Sequence, residues 1–309
     1  MTDISKKHRL IAIASFAFVS LILSLRSASY YTLVFFVFTA IPLFFADRIM
    51  DDKRIKERTA TAFCVFAVCY QTFYQCFNRV HENNRQLMTA AAVAVFLAAV
   101  FALTDSKKLP YSIFAAPLIC LLDLRVASAY CFLLLMFSVT KLKLIIDTDS
   151  HKKKSSKGKK KKTKDNEHGK LDLKTVIIIS TVTSAVCLAF CIYVIFKNSV
   201  RITENLDYLF TQYKNLFGFI FFIIYLMVKL IRSNININIP VIVALVLDVA
   251  LSVIFTMNYG WSFFSLFLVS FFLFLVLICF ESEKVINKIK ADFNNHRYLF
   301  LIGVLCLLQ

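Results

Sequence analysis

The chain has 309 residues, of which 59% are hydrophobic, and it carries a formal net charge of +17 with a mean hydropathy of +0.70. Soluble domains are typically about 45–50% apolar, so this composition excludes a single soluble globular domain. Phenylalanine is abundant (33) and glycine is scarce (5). These features predict an all-α integral membrane protein whose main partner is the lipid bilayer.

Apolar runs recur along nearly the whole chain. A spanning helix needs about 20 apolar residues to cross about 30 Å of hydrocarbon. On that basis the sequence predicts a polytopic bundle of about 10–11 transmembrane helices. The candidate segments are Leu10–Leu25, Tyr30–Ala46, Thr59–Phe77, Leu87–Thr104, Leu109–Leu122, Val126–Thr140, Thr175–Phe196, Leu216–Ile231, Ile239–Met257, Ser262–Phe280 and the weaker Tyr298–Leu308.

The N-terminal segment and the distribution of basic residues predict the orientation. The first apolar run follows basic residues, as in a signal peptide, but a second apolar run begins at Tyr30, which favours a helical hairpin over cleavage. With the N-terminus inside, the cytoplasmic segments hold 29 of the 36 Lys and Arg residues. The positive-inside rule therefore predicts a plasma-membrane protein with a cytoplasmic N-terminus.

A lysine-rich loop divides the chain into two membrane halves. The first, 1–146, holds six segments, and the fifth and sixth are predicted to be short or re-entrant, because fourteen residues of helix reach only about 21 Å and Pro110 and Pro117 add breaks. The loop, 147–174, is cytoplasmic and predicted to be disordered, and 175–309 holds four to five segments. Lys152–Lys164 could bind anionic lipid head groups. Nucleic acid is not expected, because no aromatic residues interleave with the lysines.

The third segment carries a stripe of polar side chains. Its members fall at i, i+4, i+7 and i+11, which places them on one helix face: Gln71, Gln75, Asn78 and Glu82. One interpretation is a polar path for a solute. The other is hydrogen bonding between neighbouring helices, which amides commonly provide in membrane bundles.

Asp248 is the clearest isolated charge within a predicted span. Its neighbours Val246, Leu247, Val249 and Ala250 are all apolar. A carboxyl group at this depth is costly and faces the bundle interior, pairs with a donor or binds a proton. The functional hypothesis is a proton or cation site coupled to solute movement, and the alternative is a neutral acid hydrogen-bonded to another helix.

A second set of polar residues is predicted at the external ends of the helices. It comprises Arg79, His81, Arg85, Asp123 and Arg125. Guanidinium groups bind phosphate in a bidentate manner, so this set is a candidate site for an anionic ligand such as a lipid-linked phosphate. Alternatively, Asp123 and Arg125 form an ion pair that caps a hairpin. No spacing in the sequence shows that the two parts of the set meet.

The nine cysteines all lie within apolar runs, so no disulfide framework is indicated. Cys187 and Cys191 share a helix face, but neither a histidine nor a second cysteine pair is positioned in the sequence to complete a zinc site. The sequence therefore predicts that the cysteines are packing residues, with no metal site and no cofactor.

Three functional hypotheses remain open. The sequence contains no phosphate-binding loop, no nucleophile elbow and no metalloprotease motif. The first hypothesis is a small-solute permease or flippase-like transporter that uses the polar stripe and Asp248. The second is a membrane enzyme or accessory protein of envelope glycan assembly, and the third is a non-catalytic scaffold. The last apolar segment stops at Gln309 without a polar anchor, which indicates either an interfacial helix or a fragment of a longer protein, and the second case would favour the enzyme. Substrate and oligomeric state are not indicated.

Overall fold

The computed structural model describes most of the chain from residue 83 onwards. The described ranges are 83–104, 107–155, 172–197, 216–233, 238–259 and 262–299, with isolated positions at 37–38, 41–42, 45 and 302. Within these ranges the regular structure is entirely helical, and no strand occurs in them. The predicted all-α class is therefore confirmed for this part of the protein. The first three predicted segments lie almost wholly outside it.

Eight helices make up the described fold. They are α1 (Asn83–Leu103), α2 (Leu109–Leu122), α3 (Leu124–Ser155), α4 (Leu173–Lys197), α5 (Leu216–Ile231), α6 (Asn238–Tyr259), α7 (Ser262–Glu281) and α8 (Glu283–Asn295). Four of them, α1, α3, α4 and α6, are long and apolar enough to cross a membrane. A fifth span results if α7 and α8, which are bent by 108° relative to each other, count as one.

The α2–α3 pair differs from the sequence prediction in two respects. Pro110 lies in the first turn of α2, where its missing N–H would have no partner, and Pro117 lies inside α2 without ending it. The predicted breaks at these prolines are therefore wrong. The sixth segment is also not short: α3 continues past Thr140 to Ser155, into the first part of the predicted disordered loop. At 14 residues, about 21 Å, α2 is too short to cross the hydrocarbon alone.

Helices α3 and α7 form the centre of the bundle. Helix α3 packs against α1, α2, α4, α6 and α7, and α7 packs in addition against α5, α6 and α8. Most of the largest fully buried side chains are aromatic residues of these two helices, including Tyr130, Phe132, Phe137, Phe267, Phe271 and Phe274. Phe132 of α3 meets Phe267 of α7 edge to face, with ring centroids 6.3 Å apart. The interface between α3 and α7 therefore joins the two halves of the described fold.

Two ion pairs connect α7 and α8 to other helices of the bundle. Lys141 of α3 binds Glu281 at the end of α7, with Nζ and Oε1 2.6 Å apart. Lys229 of α5 binds Asp292 of α8, and Tyr225 donates a hydrogen bond to the same carboxylate at 3.0 Å. The hydrogen bond from Lys229 lowers the pKa of Asp292. Glu281 at the end of α7 and Asp292 in α8 therefore bind α3 and α5, respectively.

Helices α4 and α6 each leave an apolar face uncovered. On α6 the exposed residues include Ile242, Val246, Val249 and Val253, and α4 likewise exposes Val182, Val186 and Phe190. Soluble proteins seldom expose contiguous apolar faces of this kind. The backbone hydrogen bonds of α4 and α6 are satisfied within each helix, so these apolar faces are compatible with contact with lipid.

Candidate functional site

The corner between α2 and α3 is built around Asp123. Its carboxylate Oδ1 accepts a hydrogen bond from the backbone N–H of Arg125 at 2.9 Å, which makes Asp123 the N-cap of α3. Oδ2 accepts a second hydrogen bond from the Thr89 hydroxyl at 2.6 Å. An anion at a helix N-terminus is also favoured by the helix dipole. The carboxylate therefore fixes the start of α3 and joins it to α1.

The Asp123 carboxylate also forms the predicted ion pair with Arg125. Arg125 Nε lies 3.1 Å from Oδ1, and Nη2 lies 3.0 Å from Oδ2. Burial raises the pKa of Asp123, but the Arg125 charge and the hydrogen bonds from Arg125 and Thr89 outweigh burial and hold this pKa below its usual range. The interpretation of Asp123 and Arg125 as an ion pair at a hairpin is confirmed.

The remainder of the predicted anionic-ligand site is only partly described. Arg79 and His81 lie outside the described residues, and of Arg85 only the helical backbone in the first turn of α1 is described. Thr89, one turn further along α1, contacts Asp123. The structure therefore brings the beginning of α1 to the same end of the bundle as Asp123. Contact of the arginine and histidine side chains with a common ligand stays a prediction.

Asp248 lies near the middle of the 22-residue helix α6 and is only 3% exposed. At 1.5 Å per residue, its Cα is about 15 Å from either end of the helix. Its carboxyl oxygen Oδ1 has no hydrogen-bond partner among the described residues. The buried face of α6 that carries it also contains Ala244, Leu251 and Phe255. The predicted burial in the bundle is confirmed, whereas a hydrogen bond to Oδ1 from a neighbouring described helix is not found.

Two hydroxyl groups that the sequence analysis did not single out share the buried face with Asp248. Ser252 is 1% and Thr256 is 7% exposed, and the Thr256 hydroxyl has no hydrogen-bond partner among the described residues. The three residues fall at i, i+4 and i+8, so the helical spacing alone could have identified this polar face. The other predicted polar path, Gln71, Gln75, Asn78 and Glu82, lies outside the described residues.

Four cysteines from three helices meet in a single cluster, here called the thiol cluster: Cys120 of α2, Cys131 of α3, and Cys187 and Cys191 of α4. The Sγ atoms of Cys120, Cys131 and Cys187 all lie within 4.8 Å of one another. Cys191 Sγ lies 3.9 Å from Cys120 Sγ. Cys131 and Cys191 are buried, and the other two are half-buried.

The thiol cluster was not predicted from the sequence. The i, i+4 spacing of Cys187 and Cys191 places both on one face of α4, and this was the only signal available. Cys120 and Cys131 reach that face because α2, α3 and α4 all pack against one another. The statement that no second cysteine pair completes a site with Cys187 and Cys191 was therefore wrong about proximity.

No known protein family, curated protein or solved structure matches this chain. The class of the protein consequently rests on its own fold. Its described residues form an all-helical fold in which four helices, or five spans if α7 and α8 count as one, are long and apolar enough to cross a membrane.

Proposed function

We propose that the chain is a multi-pass plasma-membrane permease for small solutes, with its N-terminus and lysine-rich loop in the cytoplasm. In this proposal the bundle has about 10–11 spans, and Asp248 binds a proton or cation whose exchange is coupled to solute movement. One observation carries the proposal: a carboxyl group buried in the middle of an apolar helix has an oxygen without a hydrogen-bond partner in the described fold.

The chemistry of such a group supports a coupling role. An ionised carboxylate without a partner in apolar surroundings is very costly, so the group binds a proton or a cation instead. Intramembrane acids of this kind are typical of proton and ion pathways. Ser252 and Thr256 extend the polar face of α6 by two helical turns, and their hydroxyls can both donate and accept hydrogen bonds. A proton or cation leaving Asp248 would therefore find oxygen atoms along one direction of the helix.

The two alternative functions have weaker support. The glycan-assembly enzyme depends on Arg79 and His81, which lie outside the described residues, and on Asp123 and Arg125, whose charges compensate each other. The scaffold hypothesis accounts for the apolar faces of α4 and α6, but lipid accounts for them equally well. Neither hypothesis requires the buried carboxyl group of Asp248.

The proposal is tested by proton movement in proteoliposomes. The purified full chain is reconstituted with a pH-sensitive dye inside, and defined pools of amino acids, sugars, nucleosides and organic acids are added outside. We expect at least one pool to change the internal pH, and Asp248→Asn to abolish this change. Asp172→Asn is the matched control because Asp172 is an exposed acid immediately before α4.

Two outcomes would contradict the proposal. If Asp248→Asn carried the same solute-induced proton flux as the wild type, Asp248 would not be the coupling site. If no pool moved protons or accumulated in the vesicles under an imposed pH or sodium gradient, the permease hypothesis would be wrong. The scaffold would then be the better explanation of the fold.

A further inference from the structure

We infer that the thiol cluster binds a soft metal ion, and that this ion is Cu(I). The inference is independent of the proposed transport function, because it depends only on the sulfur atoms between α2, α3 and α4. Thiolates are the protein ligands that select Cu(I), Zn²⁺ and iron–sulfur clusters over hard cations. Four such groups from three different helices are far more specific than a single buried cysteine.

The distances between the sulfur atoms suit a single metal ion. With metal–sulfur bonds of about 2.3 Å, three sulfurs around one ion lie about 4 Å apart in a planar arrangement. Cys120 and Cys191 are already 3.9 Å apart, and the Cys120, Cys131 and Cys187 sulfurs lie within 4.8 Å of one another. A contraction of less than about 1 Å per contact would therefore complete the coordination, which side-chain rotation can supply.

Coordination number distinguishes Cu(I) from Zn²⁺ at this position. Zn²⁺ in structural sites is almost always bound by four ligands in a tetrahedral arrangement. The Sγ atoms of Cys120, Cys131 and Cys187 are mutually close, whereas Cys191 is close to Cys120. The cluster therefore offers one ion three sulfur ligands, an arrangement that suits soft Cu(I) better than tetrahedral Zn²⁺.

The cysteines of the cluster differ in burial. Cys131 and Cys191 are enclosed, while Cys120 and Cys187 are half-buried. Cys279 of α7 is equally buried but does not belong to the cluster, which makes it a natural control.

The test is a Cu(I) titration of the full chain, purified in detergent under anaerobic and reducing conditions, against a chromogenic Cu(I) chelator. We expect one equivalent to bind, with X-ray absorption showing a shell of sulfur atoms at about 2.3 Å, as for other metal–thiolate bonds. Cys187→Ser and Cys120→Ser should weaken binding at least about 100-fold, beyond the 10–100-fold typical of outer-shell changes. Cys279→Ser should bind as the wild type does.

Several results would overturn the inference. Binding of unchanged affinity in the Cys120→Ser/Cys187→Ser double variant would place the ion on other cysteines. X-ray absorption of the wild type that showed nitrogen or oxygen ligands around the ion would also exclude the cluster as the site. That measurement does not depend on the folding of any variant. If equimolar Zn²⁺ displaced the ion, the assignment to Cu(I) would be wrong. If the reduced protein took up no Cu(I) but formed a reversible Cys120–Cys191 disulfide in air, the cluster would be a redox pair instead.

Discussion

Replacing Asp248 with alanine should stabilise the protein. Leaving a buried polar atom without a hydrogen bond costs about 1–3 kcal/mol, and the Oδ1 atom of Asp248 has no partner among the described residues. The substitution leaves a cavity of about 25 Å³, which costs about 0.6 kcal/mol at 24 cal/mol per Å³. The better helix propensity of alanine, about 0.5 kcal/mol, offsets most of that cost. We therefore expect Asp248→Ala to raise the free energy of unfolding by about 1–3 kcal/mol.

The assay is equilibrium unfolding in mixed micelles, with sodium dodecyl sulfate as the denaturant and helical circular dichroism as the signal. Val249→Ala is the matched control, because Val249 follows Asp248 on the same helix but is 52% exposed. A substitution at such a position usually changes stability by less than about 0.5 kcal/mol. Asp248→Asn should give no gain in stability, because its amide keeps an unpaired polar group at the same place.

One result would refute this reasoning directly. If Asp248→Ala lowered the free energy of unfolding by more than about 1 kcal/mol, the carboxyl group would have a stabilising partner in the native protein. A gain in stability accompanied by loss of solute-induced proton flux would instead show that the acid is retained at the expense of stability. Such a trade-off is common at functional sites.

Further predictions concern the hydrogen bonds between helices, all measured by the same unfolding assay. Asp123→Ala should lower the free energy of unfolding by about 3 kcal/mol, because it breaks a buried ion pair. This value is at the lower end of the range for such pairs, since the Arg125 side chain is 21% exposed. Thr89→Val should lower the free energy of unfolding by about 1 kcal/mol, because it removes one hydrogen bond to Asp123. If Thr89→Val and Asp123→Ala lowered it equally, the ion pair with Arg125 would contribute nothing. Because the pKa of Asp123 is lowered on folding, its contribution is fully present above the ordinary aspartate pKa of about 3.9 and is lost as the pH falls through the folded value. A profile from pH 7 to pH 2 should show this loss in the wild type but not in Asp123→Ala. Ser138 and Ser180 share a buried hydrogen bond of 2.7 Å, and a double-mutant cycle to alanine should give a coupling of about 0.6 kcal/mol, with zero coupling as the contrary result.

The positions of the helices could be predicted from the sequence because apolar length is a local property. The predicted segments Leu109–Leu122 and Leu216–Ile231 have the same bounds as α2 and α5. Helix α3 could not be predicted in full, because its polar C-terminal part, beyond Thr140, lacks the apolar signal that defined the segments. The N-cap at Asp123 was not predicted, although an aspartate before an apolar run is a common N-cap.

The candidate sites likewise differ in whether a local sequence signal or the packing of helices defines them. Asp248 was identifiable because one charged residue interrupts an apolar run, which is visible in a single segment. The thiol cluster was not, because Cys120, Cys131 and Cys187 lie on three helices, and only the packing of those helices brings them together. That no described residue donates a hydrogen bond to Asp248 Oδ1 is likewise a tertiary property, since any of several neighbouring helices could have supplied a donor.

The thiol cluster and Asp248 lie at different helix interfaces, so the two proposals can fail separately. The cluster lies between α2, α3 and α4, whereas α6 packs against α3, α5 and α7. A metal ion bound by the cluster would hold α2, α3 and α4 together. If binding of a proton at Asp248 moves α6, that movement would occur against this group of helices, which α6 contacts through α3. Loss of Cu(I) binding in Cys187→Ser should therefore weaken this group of helices without changing the carboxyl chemistry of Asp248.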